Sequence, residues 1–387
     1  MPVNVIRKHE CTGCHACCNA CPSNCLHMKR DEEGFLYPVV DSTNCTNCDL
    51  CLHVCPMAKK SKETGNVEEP EVYAAWSLND EIRINSTSGG IFSELALHIL
   101  KNEGYVCGAR YGRNHHIEHY IVNTIDGLET IRQSKYAQSD KRYIYREIKQ
   151  LLMCGQKVLF CGTPCECAGL RNYLQKNYDN LIIVDFICRG ANSPRAYERF
   201  LEYLENEYDS KCVKVWFKNK TYGWNRFSTK IDFANGSCYL KDRDHDPYIL
   251  GYIKYNLYMR PSCAQCRFRT VRRPSDITLA DFWEVRLSDP SLDMEKGTSM
   301  VMINSSKGAD MFEYIKPTIF YEKKSLKDIL AGNPCLLSSP RMNKKRGYFF
   351  KNLEKASFDI LMGKCLGEQS NTPDILKHIA KKIIFKK

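Results

Sequence analysis

No stretch of the 387 residues stays apolar for the roughly 18 positions that a membrane-spanning helix needs. Met1–Arg7 lacks a charged-then-apolar leader, so the chain is expected to remain in the cytoplasm. There is no Gly-x-Gly-x-x-Gly fingerprint, which argues against a conventional nicotinamide site, and no module of the kind that binds nucleic acid. Compositional bias is absent too: 43% apolar and 26% charged residues describe an ordinary globular chain, not a disordered one. The length exceeds one average domain and predicts a large core with a small appendage, or two domains.

What the chain has in excess is cysteine, 22 residues of it. Without an export leader, that many thiols read as metal ligands before they read as disulfides. Ten of the 22 fall within the first 55 residues, and two runs share one grammar. Cys11-x2-Cys14-x2-Cys17-x3-Cys21-Pro22 is followed by Cys45-x2-Cys48-x2-Cys51-x3-Cys55-Pro56. This is the bacterial ferredoxin run, in which a triplet wraps one 4Fe–4S cubane and the fourth Cys, before Pro, serves the other. The expected sets are therefore Cys11, Cys14, Cys17 and Cys55, then Cys21, Cys45, Cys48 and Cys51. Zinc is the weaker alternative, because it takes two Cys-x2-Cys pairs per ion rather than triplets closed by Cys-Pro. Cys18 and Cys25 fall outside the pattern and read as packed thiols, with Cys18 able to replace Cys17 if the loop shifted.

Residues 1–60 thus form a ferredoxin-type domain, and 61–71, within the polar stretch Lys59–Glu71, a surface linker. From Val72 onward apolar periodicity predicts strands at 72–77, 105–111, 117–122, 157–160, 181–187, 277–279 and 299–303. Helices are expected at 88–100, 143–154, 164–174 and 194–208, and a hairpin turns at Asn235-Gly236. The alternation argues for an α/β sheet covered on both faces over 72–340, followed by a basic helical segment at 341–387. Within that segment, Pro373–Lys387 is an amphipathic basic helix; docking on the core and peripheral contact with an anionic membrane surface both suit it. The aromatic stretch Trp216–Trp224 can fill core or line a pocket.

Four more thiols sit where such sheets bind ligands. Cys165 and Cys188 lie just past strand ends, and Cys263-x2-Cys266 follows. Spacing alone allows a third 4Fe–4S cluster on these four, or buried thiols beside an incidental pair. Ser86–Gly90 (STSGG) precedes a helix, and its glycines and hydroxyls suit either a phosphate or a plain N-cap.

Five motifs occur in order: Arg83-x2-Ser86-Thr87-Ser88-Gly89-Gly90-Ile91-Phe92, Ser134-Lys135-Tyr136-x-Gln138-Ser139, Gly162-Thr163-Pro164-Cys165, Arg273-Pro274-Ser275-Asp276-Ile277 and Asp281-Phe282-Trp283. Together they resemble the coenzyme F420 hydrogenase/dehydrogenase beta-subunit family, from Cys11 to about Phe350. The resemblance implies a small α+β ferredoxin-like domain fused to a larger α/β flavin-binding domain. It implies FAD, and it favours the third cluster on Cys165, Cys188, Cys263 and Cys266, with Cys161 and Cys167 as competing neighbours. Ser86, Thr87, Ser88, Gly89 and Gly90 then look like the FAD pyrophosphate cradle. Lys135 and Tyr136 become catalytic candidates beside the isoalloxazine, and Gln138 and Asp281 further cofactor contacts, Asp281 to ribityl hydroxyls or else a turn cap. The implied activity is a flavin- and iron–sulfur-dependent oxidoreductase linking a two-electron small-molecule substrate to a one-electron partner, such as ferredoxin or an oxidoreductase subunit. Bacterial relatives occur among polysaccharide-synthesis proteins, which suggests a glycan-pathway reductase; oxidation of coenzyme F420 and a non-catalytic relay subunit are the alternatives. The formal charge of +11 then shrinks. Three oxidised cubanes remove about 6 and the FAD pyrophosphate about 2, leaving roughly +3.

Overall fold

The computed structural model describes residues 6–58 and 69–366. The expected amphipathic helix at 373–387 and most of the expected linker lie outside the described residues. No helix of the described residues is long and apolar enough to cross a membrane.

The N-terminal domain is built twice from one device. Short helices Ala16–Ala20 and Leu50–His53 each begin at a left-handed residue, His15 (φ 66°) and Asp49 (φ 58°). Gly13 (φ 67°) and Asn47 (φ 53°) repeat that conformation two positions earlier. These matched kinks give the two Cys-x2-Cys-x2-Cys loops the same local backbone course. Between the halves, β1 (Leu26–Arg30) and β2 (Leu36–Val40) form an antiparallel hairpin.

The body holds a further eleven strands: β3 Glu71–Ser77, β4 Tyr105–Tyr111, β5 Ile117–Val122, β6 Val158–Gly162, β7 Leu181–Phe186, β8 Cys212–Asn219, β9 Ser228–Phe233, β10 Cys238–Asp242, β11 Ile277–Asp281, β12 Ser299–Ile303 and β13 Ile319–Lys324. Eight of them form one sheet in the order β13-β3-β12-β11-β7-β6-β4-β5. β11, β7, β6 and β4 run parallel, and the flanking strands are antiparallel. Near-continuous apolar runs such as LIIVDF in β7 and SMVMI in β12 follow from burial on both faces. Helices Ile91–Lys101, Ile125–Ile131 and Ser306–Ile315 cover one face, and Ile144–Met153 and Pro164–Leu174 the other. On that second face Cys14, Ala16 and Val54 join the core, which seats the N-terminal domain against Pro164–Leu174.

Between β7 and β11 the chain leaves the sheet to build a second lobe. There β10-β9-β8 form an antiparallel sheet against helices Pro194–Glu207 and Phe358–Leu366, around Phe200, Phe217, Tyr248 and Phe358. Apolar periodicity announced neither β8 nor β13. β8 carries a register irregularity between Trp216 and Asn219, which interrupts the two-residue alternation that would mark a strand. The strand at the start of the body begins at Glu71, one residue before the expected boundary, and antiparallel strands flank the parallel centre.

One glycine of the Ser86–Gly90 loop is fixed by this sheet. A Cβ on Gly89 would lie 2.4 Å from the Ala75 carbonyl oxygen and 2.9 Å from the Ser299 nitrogen. Gly89→Ala is expected to destabilise the protein by about 1–3 kcal/mol, as overpacking does. A denaturant midpoint equal to that of the unchanged protein would contradict this packing.

Candidate functional site

The two ferredoxin runs lie side by side, and Cys17 packs with Cys21 and Cys51 in one buried cluster. The Cys14 thiol is pushed up by burial and then by the sulfurs of Cys55, Cys17 and Cys11, and Cys55 in turn feels Cys17 and Cys11. The structure thus brings Cys55 of the second run to the first triplet. Cys21 and Cys51 share a buried cluster, with Cys45 packed against it, while Cys48 is exposed. Cys25 enters this second group: its Sγ lies 3.3 Å from Sγ of Cys21. Its neighbours Cys21 and Cys45 push its thiol up to about 12, hydrogen bonding to Cys21 being the largest cause. Cys18 is buried beside Cys17.

Among the described residues no three Cys, His, Asp or Glu side chains converge tightly enough for a single metal ion. Zinc needs its sulfurs within about 2.3 Å of one point. A cubane instead takes four thiolates, one on each iron, and the two triplets closed by Cys-Pro supply all-sulfur sets of that size.

The body thiols also meet. Cys165 opens the helix after β6, Cys188 follows β7 by two residues, Cys263 lies in the tight turn at Pro261–Gln265, and Cys266 is the residue that closes it. All four line one small cavity of about 40 Å³. Burial raises the Cys188 thiol first, and the sulfurs of Cys263, Cys165 and Cys266 add to it. The backbone N–H of Ala191 donates to Sγ of Cys263 over 3.4 Å. Cys165 and Cys266 pack with Cys55 around Met57, Ala168 and Phe268, so this set abuts the first ferredoxin set. The competing thiols lie elsewhere. Cys167 is buried, its thiol donating to the Gly162 and Val184 carbonyls at 3.6 Å each. Cys161 faces a different cavity, its thiol pushed up by burial to about 12. A thirteenth thiol, Cys335, lines the small cavity unannounced by any motif.

That larger cavity, about 970 Å³, opens at the carboxyl ends of β6, β7 and β11, the place where open α/β sheets bind ligands. Cys188 and Cys335 line both cavities, making one wall common to the two. The Ser86–Gly90 loop forms a rim, and its hydroxyls are mostly committed. Ser86 Oγ donates to the Ile82 carbonyl (2.7 Å), Ser88 Oγ donates to the Thr298 carbonyl (2.7 Å), and Thr87 Oγ1 pairs with Ser134 Oγ (3.1 Å). Gly89 does not line the cavity, contrary to expectation; its N–H donates to Ser299 Oγ (2.9 Å) because it packs against the sheet. Gly90 (φ 91°) starts helix Ile91–Lys101 without a side-chain cap, leaving a helix N-terminus open at the cavity. Beside it, Arg132 is 6% exposed and its Nε has no partner. An uncapped helix start beside an orphaned guanidinium nitrogen suits an anionic group such as a pyrophosphate.

Two residues brace this rim. Arg83 donates from Nε to the Gly297 carbonyl (2.9 Å), and Lys220 Nζ donates to the carbonyls of Arg83, Ser88 and Lys296 (2.6–2.7 Å). The Arg83-x2-Ser86 spacing thus has a structural reason, while Lys220 carried no signal in the sequence.

Lys135 and Tyr136 both line the cavity. Lys135 Nζ donates to the carbonyls of Arg132 (2.5 Å) and Gln133 (3.3 Å). Burial pulls its ammonium down to about 7, opposed by the thiol of Cys161. Tyr136 packs between Phe217 and Tyr252 (ring centroids 5.3 and 5.2 Å), and burial holds its phenol protonated. Asp281 is already engaged, accepting from Lys218 Nζ (2.5 Å) and Trp224 Nε1 (3.0 Å). Lys218 is a residue the sequence did not single out. It is buried in the left-handed region (φ 58°) at the β8 irregularity, with Nζ 4.3 Å from the Trp283 ring centroid.

Gln138 touches the cavity edge, but its side chain serves another purpose. Its Oε1 accepts from the Leu36 N–H (3.1 Å) and Arg260 Nη1 (3.0 Å), and Nε2 reaches the Thr12 carbonyl (3.5 Å). Gln138 is thus both a lining residue of the cavity and a tie to the N-terminal domain, where the hairpin supplies the Leu36 N–H and the loop before it the Thr12 carbonyl.

Residues 155–329 match the family described as the C terminus of the coenzyme F420 hydrogenase/dehydrogenase beta subunit. Residues 10–59 match the 4Fe-4S dicluster domain. Among solved structures, a chain of the F420-reducing NiFe hydrogenase complex from Methanosarcina barkeri, studied by xenon derivatization, is 16% identical with a TM-score of 0.45. That alignment covers 76% of this chain and 91% of the other. No curated protein matches significantly. The chain is thus an iron–sulfur, electron-transfer oxidoreductase-like protein related to the F420 hydrogenase beta subunit, with a 4Fe-4S dicluster domain ahead of the region that matches that subunit's C terminus.

Proposed function

We propose that the chain is an iron–sulfur flavoprotein oxidoreductase with three 4Fe–4S clusters and one FAD. The observation that carries this reading is adjacency. The exposed Cys48 end of the second set, the first set, the body set and the large cavity follow one another without a gap, joined at Met57–Phe268 and at the shared Cys188 wall. The ligands are Cys11, Cys14, Cys17 and Cys55; Cys21, Cys45, Cys48 and Cys51; and Cys165, Cys188, Cys263 and Cys266.

A cavity of about 970 Å³ lies at the upper end of the range for small-molecule and cofactor pockets. When bound, FAD supplies the exchange between two-electron and one-electron transfer that clusters alone lack. The Gly90–Phe92 helix start and Arg132 hold its pyrophosphate, with Ser86, Thr87 and Ser88 shaping the rim and Gly89 setting its closeness to the sheet. Lys135 keeps a proton and a positive charge inside a water-poor wall; Tyr136, held protonated, is a rigid side of the pocket. The Asp281–Lys218 pair fixes a second cation at the opposite strand end. A one-electron partner, ferredoxin or a redox subunit, docks where Cys48 is exposed.

The substrate is a small molecule accepting or giving an electron pair. The deazaflavin named by the family and a glycan or polyisoprenoid precursor are distinguished by an anaerobic assay: bleaching of deazaflavin absorbance selects the first.

Anaerobically purified protein is expected to hold about twelve irons per chain, falling to about eight in Cys263→Ser. A count of eight that Cys263→Ser leaves unchanged would remove the body cluster. Turnover is expected to fall as pH rises through about 7, where Lys135 loses its proton, since its ammonium is present only below that value. Lys135→Arg should flatten the fall, and Lys135→Met should lower turnover by about 10²-fold or more below pH 7, with the gap to the unchanged protein closing as pH rises past that value. A flat profile in the unchanged protein would remove Lys135 from this role.

A further inference from the structure

Arginines crowd the junction between the first ferredoxin set and the body set, and their partners are unusual. Arg260 is fully buried, and none of its bonds goes to a carboxylate. Nε donates to the Cys11 carbonyl (2.8 Å), Nη1 to Gln138 Oε1 (3.0 Å) and Nη2 to the Leu36 carbonyl (3.0 Å). The same residue reaches the body set through its backbone: the Cys263 N–H donates to the Arg260 carbonyl (3.0 Å) and the Arg260 N–H to the Ala191 carbonyl (2.8 Å). Asp31 and Glu33, which reach the neighbouring Tyr37, are paired with Lys8 and Arg346.

Arg269 repeats the arrangement on the other side of the body set. Its Nη1 donates to the Cys335 carbonyl and its Nη2 to the Arg189 carbonyl (2.8 Å), while its Nε is buried without a partner. Arg269 is bonded to Arg189, the neighbour of Cys188, and stands three residues past Cys266, whereas Arg260 is bonded to Cys11 and, through its own carbonyl, to Cys263. The Arg260 guanidinium also lies over the rings of Tyr37 (4.1 Å to the centroid) and Phe35 (5.3 Å), yet a guanidinium held in the interior without a carboxylate is costly unless an anion lies beside it. Thiolate-bound cubanes are such anions, and a nearby fixed cation favours their more negative, reduced form.

We propose that Arg260 and Arg269 are redox-positioning residues, Arg260 raising the reduction potentials of both the first cluster and the body cluster and Arg269 that of the body cluster alone. The inference rests on the three-cluster reading above. Its consequence is a pair of linked clusters held ready to accept electrons at the cavity side of the chain, while neither guanidinium is hydrogen-bonded to a residue of the second set.

The test is an anaerobic redox titration of the holoprotein, with each cluster followed by its paramagnetic resonance signal. Arg260→Gln is expected to lower two of the three midpoints, each by about tenfold in the reduction equilibrium, or 59 mV for one electron. Arg269→Gln should lower one midpoint, and Arg260→Lys, which keeps the charge, should leave all three near their original values. If Arg260→Gln does not fold, the single-cluster shift of Arg269→Gln and the unshifted midpoints of Arg260→Lys carry the decision. About twelve irons per chain with no shift in Arg269→Gln, or equal shifts of all three midpoints, overturns the inference alone. About eight irons in the unchanged protein overturns the three-cluster reading and this inference with it.

Discussion

The buried guanidinium of Arg260 is the constraint on which the arrangement of this protein depends. It ties the Cys11 loop and the β1–β2 hairpin to the body, and its own backbone carbonyl anchors Cys263. Its bond to the Cys11 carbonyl spans 249 residues of sequence. Removing the side chain would leave buried acceptors on both sides of the junction unsatisfied, at a cost of about 1–3 kcal/mol for each group. Gly13 lies under the same constraint: a Cβ there would meet Gln138 Nε2 at 2.4 Å and Arg260 Nη1 at 3.0 Å. The ferredoxin-type domain is therefore keyed into the body, not strung beside it.

From that junction the body thiols lead toward the large cavity. Past the body thiols, Cys188 and Cys335 form a wall shared with the large cavity, whose other sides come from three parallel strand ends and from the second lobe. The lobe contributes Lys218, which is paired with Asp281 at the end of β11. The opposite side contributes Lys135, whose ammonium is within electrostatic reach of Cys161 at the end of β6. Two buried cations at opposite strand ends make the cavity suited to a cofactor that gains negative charge on reduction.

Much of this was legible in the sequence, and the reasons are physical. The nearness of Cys55 to Cys14, expected from the Cys-Pro grammar, is a matter of spacing within each run. β5, β12 and the helix at 164–174 were found at their observed limits, since apolar period and the Thr163–Pro164 start signal are local properties. What escaped was settled by residues far apart in the chain. Arg260, Lys218 and Lys220 look like ordinary charges until the fold surrounds them with carbonyls, a carboxylate and aromatic rings. Gly89 and Gln138 belong to recognisable motifs, yet their roles in sheet packing and domain docking show only once β12 and the hairpin are alongside. Cys335 has no motif at all and becomes visible only as a wall of two cavities.

The central claim is a continuous line of three clusters leading to the cavity, and iron-edge anomalous diffraction from anaerobically grown crystals tests it most directly. Three separate iron groups are expected: one among Cys11, Cys14, Cys17 and Cys55, one among Cys21, Cys45, Cys48 and Cys51, and one among Cys165, Cys188, Cys263 and Cys266. Iron at the two N-terminal sets with no anomalous signal between Cys188 and Cys266 would contradict the account.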